Sequence, residues 1–146
     1  MARGFGTGDR DQLPCPCGRG SSYGDCCGLL HRGKSRASTA EQLMRSRYSA
    51  YAMGEVEYLL STHPDIQTPM AERRRALLCS CRQTRWLGLT ILDSTAGGRQ
   101  DCEGTVCFEA RFSAEGRKGT LRETSFFQRE GGGCDGDWLY IRALAH

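Results

Sequence analysis

The stretch from Pro14 to Gly28, PCPCGRGSSYGDCCG, places four cysteines within thirteen residues: a Cys-x-Cys pair, then an adjacent Cys-Cys pair after an eight-residue excursion. Four thiolates suit one tetrahedral cation, and around zinc, with bonds of about 2.3 Å, the sulfurs lie roughly 3.8 Å from one another. The backbone must therefore bend sharply between ligands. Pro16 fixes φ between Cys15 and Cys17 so that the pair can converge. Gly18, Gly20 and Gly24 let the excursion double back, and Gly28 admits a tight exit after Cys26 and Cys27. Disulfides between such close neighbours would form small strained rings. An iron–sulfur cluster and four free thiols are the competing readings; zinc is the ion these residues favour.

The rest of the composition narrows the setting. The chain has 146 residues, 38% of them hydrophobic, which suits one domain with a small appendage. No run of eighteen apolar residues is present and the first residues lack a secretory signal, so a cytoplasmic protein without membrane association is expected. Twenty basic residues against 17 acidic ones give a net charge of +3, too balanced to imply nucleic-acid binding. Nine cysteines in a reducing compartment read as metal ligands more readily than as a disulfide framework.

Cys15, Cys17, Gly18, Gly20, Tyr23, Cys26, Cys27 and Gly28 resemble the SEC-C zinc motif, best known from the C-terminus of the SecA translocation motor. The resemblance implies Cys15, Cys17, Cys26 and Cys27 as the four ligands, with no open coordination position and hence a structural metal, and with His31 a rival fourth ligand that is better placed at the surface. It also implies a protein partner, by analogy with the motor. The motif's usual lysines before the tyrosine are replaced by Arg19, Gly20, Ser21 and Ser22, which weakens any case for charge-driven nucleic-acid binding.

Positioning these residues falls to a chain whose character changes after a polar linker, residues 32–38, with residues 1–13 expected to be a flexible leader. Ser38 and Glu41 form a capping-box pattern, so a helix is expected from near Thr39 to Met53, its apolar face carrying Leu43, Met44, Tyr48, Tyr51 and Ala52. A short helix over EVEYLLSTH should end before Pro64, and Thr68-Pro69 should open a third helix running to about Arg82, with Arg73, Arg74 and Arg75 on its wet face. Four glycine-punctuated β runs follow: Thr84–Asp93, Thr105–Phe112, Thr120–Arg129 and Trp138–Leu144. In the second, Val106, Phe108, Ala110 and Phe112 share one face. The expected class is α+β, three helices packed on a curved antiparallel sheet beside a small zinc knuckle.

That order resembles a nuclear transport factor 2-like cone over residues 39–146, and with the knuckle, MRSRY, WLGLT and the closing Trp-x-Tyr-Ile the chain is similar to the YchJ-like family of small uncharacterised bacterial proteins. The resemblance implies a fold and no established activity. Cones of this type commonly hold a pocket between helices and concave sheet, for which Arg45, Arg47, Tyr48, His63, Trp86, Glu109 and Glu123 are the candidate lining residues. An arginine meeting Glu123 would form either a ligand clamp or a structural ion pair. His63 reads as a helix-end cap before a catalytic base. Cys79, Cys81, Cys102, Cys107 and Cys134 read as semi-buried small hydrophobes, not as a second metal site. The expected function is a non-catalytic module for protein interaction or ligand binding, with a homodimer possible; an isomerase or hydrolase using the cone is the alternative.

Overall fold

The computed structural model describes residues 7–144, with side chains from Arg10 onward. Five helices precede a four-stranded sheet: α1 (Thr7–Gln12), α2 (Cys27–His31), α3 (Ala40–Met53), α4 (Val56–Ser61) and α5 (Met70–Gln83), then β1 (Thr84–Ala96), β2 (Glu103–Ala114), β3 (Arg117–Arg129) and β4 (Trp138–Leu144). The strands form an antiparallel meander in sequence order. The α+β class with a curved antiparallel sheet is therefore the observed architecture.

Helix α3 begins as its sequence demands, one residue later than the capping pattern predicts. Thr39, in an extended conformation, accepts from the Gln42 N–H at 3.0 Å, while Gln42 Oε1 accepts from the Ser38 N–H at 2.7 Å. The reciprocal cap thus uses Thr39 and Gln42 instead of Ser38 and Glu41. Gly54 ends the helix with φ 76°, a left-handed value that favours glycine. Helix α5 starts at Met70, with Pro69 as its N-cap instead of Thr68, and none of its residues is buried. Two of its three arginines are tethers: Arg73 donates to the His63 carbonyl at 2.6 Å, and Arg74 grips Glu57 through two bonds of 2.8 and 3.0 Å.

The sheet curves because β1 carries register shifts between Trp86 and Gly88 and between Ile91 and Asp93, each bending the strand. Its concave face receives α3, and Leu43, Met44 and Tyr48 pack with Val106, Phe108, Ala110, Phe127 and Trp138 into one core. The alternation expected along β2 holds, with Val106, Phe108 and Ala110 buried.

Two expectations are corrected. The leader is not a flexible tail throughout: Thr7–Gln12 is helical, Arg10 pairs with Glu55 at 3.0 Å, and Asp11 is clasped by Arg32. Residues 1–6 lie outside the described residues. Cys102 and Cys134 are joined by a disulfide, their Cα atoms 4.6 Å apart, where the sequence reading has two independent semi-buried thiols. They flank the β2–β3 hairpin, so the start of β2 and the approach to β4 bring them to the same end of the sheet. Cys79, Cys81 and Cys107 are free thiols.

Candidate metal centre and cone pocket

The knuckle is built by a small antiparallel closure. Pro14 bridges Ser22, the Cys15 N–H donates to the Ser21 carbonyl at 2.9 Å, and the Gly18 N–H returns to the Cys15 carbonyl at 3.1 Å. Gly18 and Gly20 turn the excursion with φ of 82° and 100°. The chain then makes one tight turn over Tyr23–Asp25 and enters α2 at Cys27. As a result the sulfurs of Cys15, Cys17, Cys26 and Cys27 all lie within 4.8 Å of one another, with Cys17 and Cys26 3.7 Å apart. Cys15, Cys17 and Cys27 are buried.

These sulfurs suit a cation on electrostatic grounds. The thiols of Cys17 and Cys27 lie against Cys15 and hold its sulfur well below the ordinary thiol range. Cys27 is pushed up, chiefly by the same contact with Cys15, and Cys26 is pushed up to about 12 by burial and then by charge on Cys17 and Cys15. Crowding thus resists the ionisation of several sulfurs together. A divalent cation at their centre removes that resistance, because each thiolate then faces positive charge. The all-sulfur donor set, buried at three of its four members, fits a structural tetrahedral ion.

The knuckle is fastened to the cone through the polar side of α3. His31 is half-buried: the Tyr23 hydroxyl lies 2.6 Å from its Nδ1, and its Nε2 lies 2.8 Å from the Ser46 carbonyl. A carbonyl only accepts, so Nε2 carries the proton and Nδ1 accepts from Tyr23. Burial pushes the His31 pKa down, which keeps the ring neutral. His31 is therefore neither a member of the cysteine cluster nor a surface residue, but a bridge between the two parts. Arg45 donates to the Cys17 carbonyl at 2.7 Å and pairs with Glu41, and Cys15 Sγ lies 3.5 Å from Ser49 Oγ. Ser46 and Ser49 are wholly buried in this seam. On the far side, Asp11 of α1 packs so closely on Gly24 that a Cβ there would lie 2.6 Å from the Asp11 side chain.

The opposite face of α3 lines a cavity of about 280 Å³ inside the cone, walled by Arg47, Tyr48, Tyr51, Trp86, Phe108, Glu123, Phe127 and Tyr140 among others. Of the candidates, Arg47, Tyr48, Trp86 and Glu123 are brought together here; Arg45, His63 and Glu109 are not. Arg45 sits about 200° around α3 from Arg47 and so faces the knuckle. Glu109 alternates with Phe108 and Ala110, which puts it on the convex face, 4.0 Å from Arg122. His63 lies behind Tyr140, its Nδ1 2.9 Å from the Tyr140 carbonyl and its ring against that residue's ring.

Neither form of an arginine–Glu123 pair is present. Arg47, 7% exposed, spends Nη1 on the Leu59 carbonyl at 3.0 Å and Thr62 Oγ1 at 2.6 Å, and makes no ion pair among the described residues. Burial pushes its pKa down. Glu123 Oε1 accepts from Ser125 at 2.8 Å and from the Tyr140 hydroxyl at 3.5 Å. Tyr140 links the two charges: the Arg47 guanidinium lies 4.9 Å above its ring, and its hydroxyl, pushed up to about 12 by burial and by Glu123, stays protonated toward the carboxylate. Tyr140 and Tyr51 were not among the expected lining residues, although the i, i+4 spacing of Arg47 and Tyr51 puts those two on one face of α3.

A family model described as the YchJ middle NTF2-like domain matches residues 39–143. The chain belongs to the YchJ-like family. This YchJ-like chain is 45% identical over 128 residues to a UPF0225 protein of Streptomyces coelicolor, covering 87% of this chain and 91% of that one. It is 46% identical over 133 residues to a UPF0225 protein of Ralstonia nicotianae, covering 87% and 88%. The solution structure of a SEC-C motif containing protein from Rhodopseudomonas palustris aligns with TM-score 0.72 at 32% identity, covering 92% of this chain and 99% of its own. A crystal structure of a SEC-C motif containing protein from Psychrobacter arcticus gives the same TM-score at 26% identity, covering 94% and 86%. No helix among the described residues is long and apolar enough to cross a membrane.

Proposed function

We propose that this chain is a non-catalytic cytoplasmic binding module, in which a structural zinc ion held by Cys15, Cys17, Cys26 and Cys27 fixes the helix that roofs a small-ligand cavity. The observation that carries this reading is the double use of α3. One side of the helix receives the cysteine knuckle through His31, Arg45 and Ser49, and the other lines the cavity through Arg47, Tyr48 and Tyr51. Four sulfurs around one ion leave no position for substrate, so the metal's role is to hold the knuckle together. The outer surface of the knuckle is then free to meet a protein partner.

Elemental analysis with an absorbance spectrum on the purified protein tests the metal. One colourless zinc per chain is expected; iron with visible absorption overturns the structural-zinc reading. A second reading, a hydrolase or isomerase, is favoured by one observation: Glu123 sits in the cavity with no ion-pair partner among the described residues, beside the Ser125 hydroxyl. We prefer the binding role because Ser125 is 2% exposed and His63 stands outside the cavity. Turnover of p-nitrophenyl acetate that Glu123→Gln abolishes would reverse that preference.

A further inference from the structure

Arg47 holds a cation in the cone with no counter-ion among the described residues. Buried charges are ordinarily paired, because desolvation costs several kcal/mol that one or two neutral hydrogen bonds offset only in part. Here Nη1 has two neutral acceptors, while Nε and Nη2 have no hydrogen-bond partner among the described residues, and the group lines the cavity. Glu123 lines the same cavity beyond ion-pair distance, engaged through Oε1 and with Oε2 unpartnered among the described residues. Trp86, which walls the cavity, keeps its Nε1 buried with no acceptor among the described residues. The space is therefore amphoteric: unfilled donors at Arg47, an unfilled acceptor at Glu123, and aromatic walls between them.

Resting on the ligand-binding reading above, we propose that the cone binds a small aromatic carboxylate that also carries a hydrogen-bond donor, the carboxylate on Arg47 and the donor on Glu123 Oε2. A carboxylate answers the planar guanidinium with two parallel hydrogen bonds. A ring body packs against Tyr48 and Trp86, whose rings meet edge to face with centroids 5.7 Å apart. The donor is required because an anion without one would leave the Glu123 carboxylate facing it uncompensated. About 280 Å³ accommodates a single-ring compound.

Titration calorimetry of the full chain with 4-aminobenzoate, aniline and toluene tests this. The expected result is that 4-aminobenzoate binds most tightly, that Arg47→Met weakens it roughly tenfold or more, and that Glu123→Gln weakens it less. Because Arg47→Met removes a buried group and can compromise folding, Leu121→Trp provides a second variant. Leu121 lines the cavity and is 39% exposed, so a larger ring there obstructs the cavity while Arg47 stays in place. This variant should also weaken binding. Binding of aniline or toluene as tight as that of 4-aminobenzoate overturns the ligand class and leaves the cone as an apolar ligand cavity. Failure of all three probes overturns both the class and the ligand-binding reading.

Discussion

The knuckle and the cone are held together by different physics, although they share one helix. The cone has an apolar core in which Val106, Phe108, Ala110, Phe127 and Trp138 of the sheet pack on Leu43, Met44 and Tyr48. The knuckle has Cys15, Cys17, Cys27 and Tyr23 as its buried cluster, with Leu30 as a further buried apolar side chain. So few apolar atoms cannot offset the entropy of ordering eighteen residues, at roughly 1–2 kcal/mol for each backbone. A metal held by the four sulfurs, as proposed above, would supply the difference. The contrast teaches that α3 is buried on two sides, one oily and one polar, and that the polar side serves the knuckle.

Removing the metal is the largest perturbation and should separate the two regions. Chelation is expected to release the ion and unfold residues 14–31, because structural zinc contributes about 10–16 kcal/mol in small metal-folded units. The β-sheet should keep its amide protection, since its core contains none of these cysteines. Metal analysis with hydrogen exchange checks this, and loss of protection in β2 and β3 on chelation would end the two-part description. Cys27→Ser should likewise lower metal content far more than a serine at Cys107.

Phe127→Ala makes the opposite experiment. Phe127 is wholly buried between sheet and helix, so the truncation should cost about 3–5 kcal/mol and lower the urea midpoint. Metal content per folded chain should stay at the wild-type value. A knuckle that lost its metal in this variant would mean that the cone organises the sulfurs.

Much of this layout was legible from the residues. The strand runs were found to within a few positions at their ends because β-branched and aromatic residues alternate between glycine turns, as in Val106 to Phe112. The cysteines were legible because Pro16 and the glycines announce the turns that bring sulfurs together. What could not be read was which polar residues are buried. Ser46 and Ser49 look like a wet helix face, and the packing of the knuckle on α3 explains their burial. Arg45 and Glu109 were misplaced for want of strict periodicity: a residue two positions along a helix, or one along a strand, faces the other way. The Cys102–Cys134 link spans 32 residues and depends on which ends of the hairpin meet.

His31 is where the two regions can be uncoupled without touching core or metal ligand. His31→Ala removes the partner of the Tyr23 hydroxyl and of the Ser46 carbonyl, and should cost about 1–3 kcal/mol. The signature is greater local opening of the knuckle amides, with those of β2 and β3 little changed. Equal loosening of both regions would mean that the seam is part of the cone's own stability.

The smallest effect is a pH dependence, and it belongs to the cone. His63 lies behind Tyr140, and burial pushes its pKa below the ordinary histidine value of about 6.5. The folded protein therefore binds its proton less readily than the unfolded chain. Its contribution to stability is complete above pH of about 6.5 and is lost as pH falls through the folded pKa. Because thiolate ligands also take up protons in acid, the comparison must be with His63→Gln at each pH. The wild type should lose more of its urea midpoint than the variant on going from neutral to mildly acidic solution. Identical losses would assign the acid sensitivity to the four sulfurs and to His31, whose pKa burial also pushes down, and leave the cone indifferent to pH. The two regions would then differ in their response to protons as they do in their cohesion.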